Sequence, residues 1–427
     1  MTWYRRLATT SMQILSVEQL TTRLGTLPGP EPRVVVSGNL ATPTTLLHAL
    51  ERAVERCRVF ALNAHSDWPH SPNFISETPF VGPGMRQDPL LDYLPMRLSL
   101  VPRLFDSSRP VDAVLLHTST PRLRKVSLGI EVNILPAAIE RVRARGGLVI
   151  AQMNPQMPYT FGDGEFPTDW IDVAVEVDHP LTCTPVMEPN DVALQIGERV
   201  AGFAENGGTV QLGIGQIPTI AAGQMADRRH LGIWSEMLGD GILDLERSGC
   251  LDPDRLIQTS FLVGSAELYE WAYANPRLKM VRTEIINDPA RIAANPAMLS
   301  VNAAMQIDLF AQANASYVAG RIYSGFGGQP DFVSGALHSQ GGHAVVALPS
   351  WHEKTDSSAV VPVLSNPVTS FQHSAIVSEQ GCAEIFGRSH HAQARLLAER
   401  VAHPRARPEL LEAAGRLGLL HFPDESS

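Results

Sequence analysis

Short runs of uninterrupted apolar residues alternate along the chain with stretches in which apolar positions recur every three to four residues. That alternation predicts buried strands separated by amphipathic helices. An opening helix is expected over Ser16–Leu24, a buried strand over Arg33–Gly38, a helix from Thr42-Pro43 through Arg56, and a second strand over Val59–Asn63. Residues 64–110 are rich in Pro, Gly and Ser and read as long loops over an open edge. Order returns with strand Val111–His117, the run Val126–Gly129, a helix over Leu135–Arg145 and strand Leu148–Gln152. In the second half Asp191 is placed to cap a helix running to Glu205, and a further helix is expected over Glu409–Leu419.

Two of these patterns occur twice. The strand, turn, helix and strand of Arg33–Asn63 look like Val210–Ser235, with Pro43 and Pro218 both at helix starts. The run Val126–Gln152 looks like Ile322–Leu348. Strands alternating with helices of about 10 to 15 residues argue for an α/β protein of two open domains with largely parallel sheets, related as an internal duplication. Pro180, Pro185 and Pro189 interrupt any regular element, so the boundary is expected between Pro180 and Asn190, giving domains 1–186 and 187–427.

Composition narrows the function. At 427 residues the chain exceeds what one core usually serves, which agrees with two domains of about 200 residues. With 44% hydrophobic and 18% charged residues, and no apolar run of about 18 residues, a membrane span is not expected. The N-terminus lacks an apolar core and a small-residue cleavage site, so a cytoplasmic location is expected. A net charge of −10 argues against nucleic acid as partner. Cys57, Cys183, Cys250 and Cys382 form no Cys-x-x-Cys pair, and the histidines lack a His-x-x-x-His spacing. Neither a disulfide framework nor a metal site is indicated.

The chemistry is expected at Leu231–Met237, where one carboxylate, Glu236, follows a strand-like apolar run. Upstream, Thr209–Leu212 is a strand signature that runs into Gly213-Ile214-Gly215 and a helix begun by Pro218. A glycine turn presents bare backbone N–H groups, and a carboxylate facing such groups is a nucleophile's setting. Pro218 stands where a dinucleotide fingerprint would need its third glycine. Taken singly, each feature has an ordinary structural reading: Glu236 as a salt-bridged residue, Gly213 and Gly215 as a turn, Gly327-Gly328 as a loop, and Arg122, Arg124 and Lys125 as a solvated loop.

Taken together, the motifs carry a resemblance. Gln211-Leu212-Gly213-Ile214-Gly215, Ser235-Glu236-Met237, Asn287-Asp288-Pro289 and Gly327-Gly328-Gln329-Pro330-Asp331-Phe332 resemble the acetyl-CoA hydrolase/transferase family, nearest to its 4-hydroxybutyrate and butyryl-CoA:acetate CoA-transferases. The likeness extends to Met153–Pro158 and to Glu379-Gln380-Gly381. It implies a glutamate that becomes covalently attached to CoA, a role carried to Glu236, with Glu379 supporting the site and Asn287 as a further catalytic residue. It also implies CoA-binding residues Gln211, Leu212, Gly213, Ile214, Gly215, Gly327, Gly328 and Lys354. The chain departs from the family pattern at Thr160-Phe161-Gly162-Asp163, at Pro121–Lys125 and around Trp351–Ser358. The resemblance implies an enzyme without prosthetic group or metal that takes acyl-CoA and small carboxylates as substrates. A homodimer is one assembly open to it. The expected route is ping-pong transfer through an acyl-glutamyl anhydride and a glutamyl-CoA thioester. The alternatives are acyl-CoA hydrolysis at the same glutamate and a non-catalytic CoA-binding homologue.

Overall fold

The computed structural model describes residues 12–185, 188–213, 216–366, 368 and 372–420. They form two compact units. The first contains Met1–Leu94, Leu100–Cys183 and Tyr269–Thr283, and the second contains Pro95–Ser99, Thr184–Leu268 and Glu284–Ser427. The main crossing between Cys183 and Thr184 falls in the proline-interrupted stretch, whereas the two short exchanged segments carry no compositional mark.

In the first unit the sheet runs Gln13–Ile14, Val173–Glu176, Leu148–Met153, Ala113–Thr118, Arg33–Val36, Cys57–Phe60, Phe74–Thr78 and Asp92–Tyr93. Every neighbouring pair is parallel. The second unit orders its strands Gly381–Glu384, Ala375–Ser378, His343–Ala347, Met298–Ala303, Thr209–Gln211, Gly232–Leu238 and Ile257–Leu262. These are parallel except for the hairpin that adds Gly381–Glu384.

Six strands of each sheet share one topology. Numbered by their order in the chain within each unit, they lie 6-5-4-1-2-3, from Val173–Glu176 across to Phe74–Thr78 in one and from Ala375–Ser378 across to Ile257–Leu262 in the other. The duplication is therefore present in strand order as well as in sequence pattern. Strand order reverses beside the first strand of each set, and the crevice outside the carboxyl ends at such a switch point is where open α/β sheets bind ligands.

Local chemistry accounts for several elements. Ser16 and Gln19 form a reciprocal capping box that starts helix Val17–Leu24. Helix Leu135–Arg145 has its expected limits, with Pro136 in its first turn and Gly146 closing it at φ 76°. Asn190, not Asp191, caps the next helix, accepting from the Ala193 N–H at 2.8 Å, and that helix ends at Ala201 rather than Glu205. The last helix is Arg407–Arg416.

One expectation is corrected. Residues 64–110 are not loops throughout: Phe74–Thr78 is a fully buried strand of the first sheet, and Leu98–Asp106 forms 3₁₀ turns. The strand is hard to recognise because Ser76, Glu77 and Thr78 are polar. Glu77 is tolerated inside because Arg33 and Arg58 bond its carboxylate at 2.8 and 3.0 Å, with Arg109 as a third partner. The start of the second repeat, at Ile322, lies in a small hairpin outside the large sheet. Arg321–Ile322 pairs antiparallel with Tyr317–Val318, the turn between them formed by Ala319 and Gly320 at φ 48° and 76°. Its counterpart in the first unit, Lys125–Ser127, is also antiparallel, to Glu165–Pro167.

Candidate active site

Glu236 lies on Gly232–Leu238, the strand beside Thr209–Gln211 at the switch point of the second sheet. Ile233, Trp234, Ser235 and Leu238 are buried. Two side chains anchor this strand. The Trp234 indole N–H donates to the Ile286 carbonyl at 2.8 Å, and the Ser235 hydroxyl lies 3.3 Å from the Leu212 N–H and 2.9 Å from its carbonyl. Successive side chains point to opposite faces, so fixing Ser235 on Leu212 turns Glu236 to the other side.

There the Asn287 Nδ2–H donates to Glu236 Oε2 at 2.6 Å. Asn287 is fully buried and precedes the short helix Pro289–Ala293, which Asp288 caps by accepting from the Ala290 N–H at 2.9 Å. Gly328 closes in on the same oxygen. A Cβ built at Gly328 would lie 1.6 Å from Glu236 Oε2 and 2.4 Å from Asn287 Nδ2. Even a methyl group has no room. Gly327 before it is in the left-handed region, at φ 51°, where glycine is favoured. Helix Gln329–His338 then starts from Gly328, whose carbonyl accepts from the Asp331 and Phe332 N–H groups. The Gly328 N–H itself makes no hydrogen bond among the described residues.

The surroundings of Glu236 disfavour its charge. Burial is the largest cause and pushes its carboxyl up to about 7; the Asn287 hydrogen bond opposes this and the charge of Asp331 adds to it. Among the described residues no Lys or Arg pairs with Glu236. Asp331 is itself buried and raised to about 6, although Ser99 donates to it through both its N–H and its hydroxyl. Ser99 and Asp331 are functional candidates that sequence reasoning left out, although Asp331 stands inside the Gly-Gly-Gln-Pro-Asp-Phe motif.

The other expected residues fall into three groups. Gln211 is buried and committed to the sheet, its Oε1 accepting from the Ser300 hydroxyl at 2.8 Å and the Val301 N–H at 3.1 Å, its Nε2 donating to the Val301 carbonyl. Leu212 is buried and Gly213 half-buried, with a built Cβ no nearer than 3.6 Å to Pro218, so no contact among the described residues requires glycine there. Ile214 and Gly215 lie outside the described residues. Glu379 is apart from Glu236. Glu379 follows strand Ala375–Ser378, four strands away, or about 19 Å at ordinary strand spacing. Burial disfavours its charge, but the Ser350 N–H at 2.9 Å, the Ser350 hydroxyl and the Gln380 amide outweigh this and hold its carboxyl below the usual range. Lys354 is exposed on the turn between Trp351–His352 and Ser357–Ser358.

Among the described residues no group of three or more His, Cys, Asp or Glu is arranged to hold a metal ion, and no helix is long and apolar enough to cross a membrane.

A partly buried carboxylate at a strand's carboxyl end, facing an asparagine and a glycine turn, occurs here on a fold shared with known CoA-transferases. The 4-hydroxybutyrate CoA-transferase of Porphyromonas gingivalis superposes with a TM-score of 0.80 at 29% identity, over 95% of this chain and 98% of that one. RipA of Yersinia pestis superposes with a TM-score of 0.89 at 26% identity, over 96% and 98%. In sequence, the 4-hydroxybutyrate coenzyme A transferase of Clostridium kluyveri is 35% identical over 333 residues, 75% of this chain and 76% of that one. Residues 264–414 match the acetyl-CoA hydrolase/transferase C-terminal domain. The chain belongs to the acetyl-CoA hydrolase/transferase family and is an enzyme of the CoA-transferase class. An acetyl-CoA hydrolase of Candida glabrata is also similar, 27% identical over 69% of this chain and 61% of that one.

Proposed function

We propose that the protein moves CoA between small carboxylic acids through covalent intermediates on Glu236. The observation that carries this is the meeting of Glu236 Oε2, Asn287 Nδ2 and Gly328 within one contact shell. A carboxylate oxygen of Glu236 attacks the acyl-CoA carbonyl, the C–S bond breaks, and CoA leaves as thiolate from an acyl-glutamyl anhydride. The thiolate then attacks the glutamyl Cδ. A glutamyl-CoA thioester forms and the first acid departs as its carboxylate. A second carboxylate attacks that thioester and the same two steps run in reverse, so no oxidant, reductant or metal enters the balance.

The contacts divide the two carboxylate oxygens. Oε2 is held by Asn287 and faces the Gly328 backbone, so it is the oxygen that takes the charge when thiolate adds to Cδ, leaving Oε1 as the attacking atom. The raised carboxyl supports Glu236 as a nucleophile, since a carboxylate stripped of water and of cations is a stronger nucleophile than a solvated one. Relatives named for 4-hydroxybutyrate, succinate and butyrate support small acids as the substrate class.

The test is intact mass after mixing with acyl-CoA and no acceptor acid. Addition of CoA's mass less one water is expected, and borohydride should then reduce the thioester at Glu236 to an alcohol with release of CoA; an adduct elsewhere with Glu236 unmodified overturns the assignment. Hydrolysis is the second reading, favoured by the likeness to acetyl-CoA hydrolases, with water replacing the acceptor acid at the thioester stage. Free thiol released at the full rate without any added acid would establish it.

A further inference from the structure

Segment Pro95–Ser99 belongs to the second unit although its flanking chain belongs to the first. Its contacts converge on the turn behind Glu236. The Ser99 N–H donates to Asp331 Oδ2 at 3.2 Å and the Ser99 hydroxyl to Oδ1 at 2.9 Å, while the Leu98 N–H reaches the Gly327 carbonyl at 3.3 Å. Asp331 is the third residue of helix Gln329–His338, where an acid usually serves the open N–H groups of its own helix. Here it does not. The cap residue Gly328 has no side-chain hydrogen bond, and both Asp331 oxygens are turned to Ser99.

Helix stability alone explains this poorly. Asp331 is fully buried, and the nearest cation, Arg97, stands 3.8 Å away with its side chain 42% exposed. A carboxylate so placed disfavours the folded state unless its position serves something else. What it ties down is the segment that grips the glycine turn: the carboxylate holds Ser99, the adjacent Leu98 N–H donates to the Gly327 carbonyl, and Gly328 is in contact with Glu236 Oε2.

We propose that Asp331 is a positioning residue for the covalent glutamate: clamped by Ser99, it fixes the Gly327-Gly328 turn against the Glu236 carboxylate. The proposal rests on Glu236 being the nucleophile. It carries an electrostatic corollary. The titratable and charged groups acting on this pair are Asp331 toward Glu236, and Arg97 and Asp288 toward Asp331; the remaining partners, Asn287 and Ser99, are neutral. Asp331 opposes ionisation of Glu236, so removing its charge lowers the Glu236 pKa and moves the acid limb of the reaction to lower pH.

Asp331→Asn keeps the shape and removes the charge: its amide oxygen can still accept from the Ser99 N–H and its N–H₂ can donate to the Ser99 hydroxyl oxygen, but both clamp bonds lose their charge assistance. Ser99→Ala removes the hydroxyl bond and leaves the charge. The rate of CoA mass gain with acyl-CoA and no acceptor is measured across pH for the wild type, both variants and the double variant. The plateau rate of Asp331→Asn should fall about tenfold or more, because a turn displaced by a fraction of 1 Å is costly at a reacting centre, where about 1 Å can cost a hundredfold. Its acid limb should move to lower pH, with KM for acyl-CoA little changed. Ser99→Ala should lose less, and the double variant should lose less than the product of the two. A wild-type rate with an unmoved limb overturns the proposal, as does a slower reaction whose limb stays in place while the melting temperature falls. Should Asp331→Asn not fold, Ser99→Ala decides alone, and an unchanged rate in it overturns the clamp. Absence of a Glu236 adduct in the wild type would instead remove the nucleophile, and this role with it.

Discussion

Glu77 and Glu236 lie on strands of two sheets with the same strand order, and their surroundings treat the same side chain in opposite ways. Glu77 is fully buried among Arg33, Arg58 and Arg109; burial opposes its charge, but those hydrogen bonds and charges prevail and hold its carboxyl below the usual range. Its lone pairs are occupied, which makes it a structural acid. Glu236 has a neutral amide, a glycine backbone and a second carboxylate around it, and rises to about 7. Withholding cations is what distinguishes a carboxylate kept for reaction from one kept for stability. The duplication was not symmetric in this respect. Strand Cys57–Phe60, which corresponds to Gly232–Leu238, continues into Ala61, Leu62 and Asn63, with no acid at its carboxyl end.

The comparison breaks most severely if Glu236 proves dispensable. Glu236→Gln should lower transfer by about three orders of magnitude or more while CoA binding, measured by calorimetry, persists, because the amide is isosteric but barely nucleophilic. Next in size is Gly328→Ala. Gly328 sits at φ −86°, which alanine adopts freely, so the loss must come from the added methyl against Glu236. A kcat reduced about a hundredfold with a melting temperature nearly unchanged is expected from steady-state rates and a thermal melt.

A third measurement sharpens the electrostatic half. In the proposed route Glu236 reacts as the carboxylate, and its folded-state pKa is raised to about 7, so the rate of adduct formation should fall as pH drops through 7, by about tenfold per unit well below it. A limb centred near an ordinary carboxylate value would show that the site does not strip Glu236 of its stabilising partners. The smallest effect on chemistry is expected at Glu77. Glu77→Gln should leave kcat of the folded enzyme unchanged yet destabilise it by about 3 to 5 kcal/mol in denaturant unfolding, since three arginines lose their counter-charge. With its folded-state pKa depressed, the Glu77 contribution is present above the unfolded value and is lost as pH falls through the folded one.

Much of this was legible in the chain itself. Uninterrupted apolar runs such as Val34–Val36 and Ala344–Ala347, and Pro-started helices between them, specify parallel strands buried on both faces, because burial demands apolar side chains on both. The repeat of that pattern disclosed the duplication, and motif context put Gly327-Gly328 among the expected site residues. Strand Phe74–Thr78 escaped because its burial depends on arginines brought from Arg33, Arg58 and Arg109, distant in sequence.

Local order along the chain thus determined which segments become strands and helices, and which residue types were available for chemistry. Its motifs singled out Glu236, but it could not determine what surrounds each acid. Glu77, Glu236 and Glu379 each follow or occupy a buried strand and look alike in sequence; only the fold gives the first its arginines, ties the third to Ser350, and leaves the second facing Asn287 and Gly328 with Asp331 behind it. A carboxyl group's pKa and reactivity are set by the charges and dipoles within a few ångströms, and those neighbours arrive from remote parts of the chain.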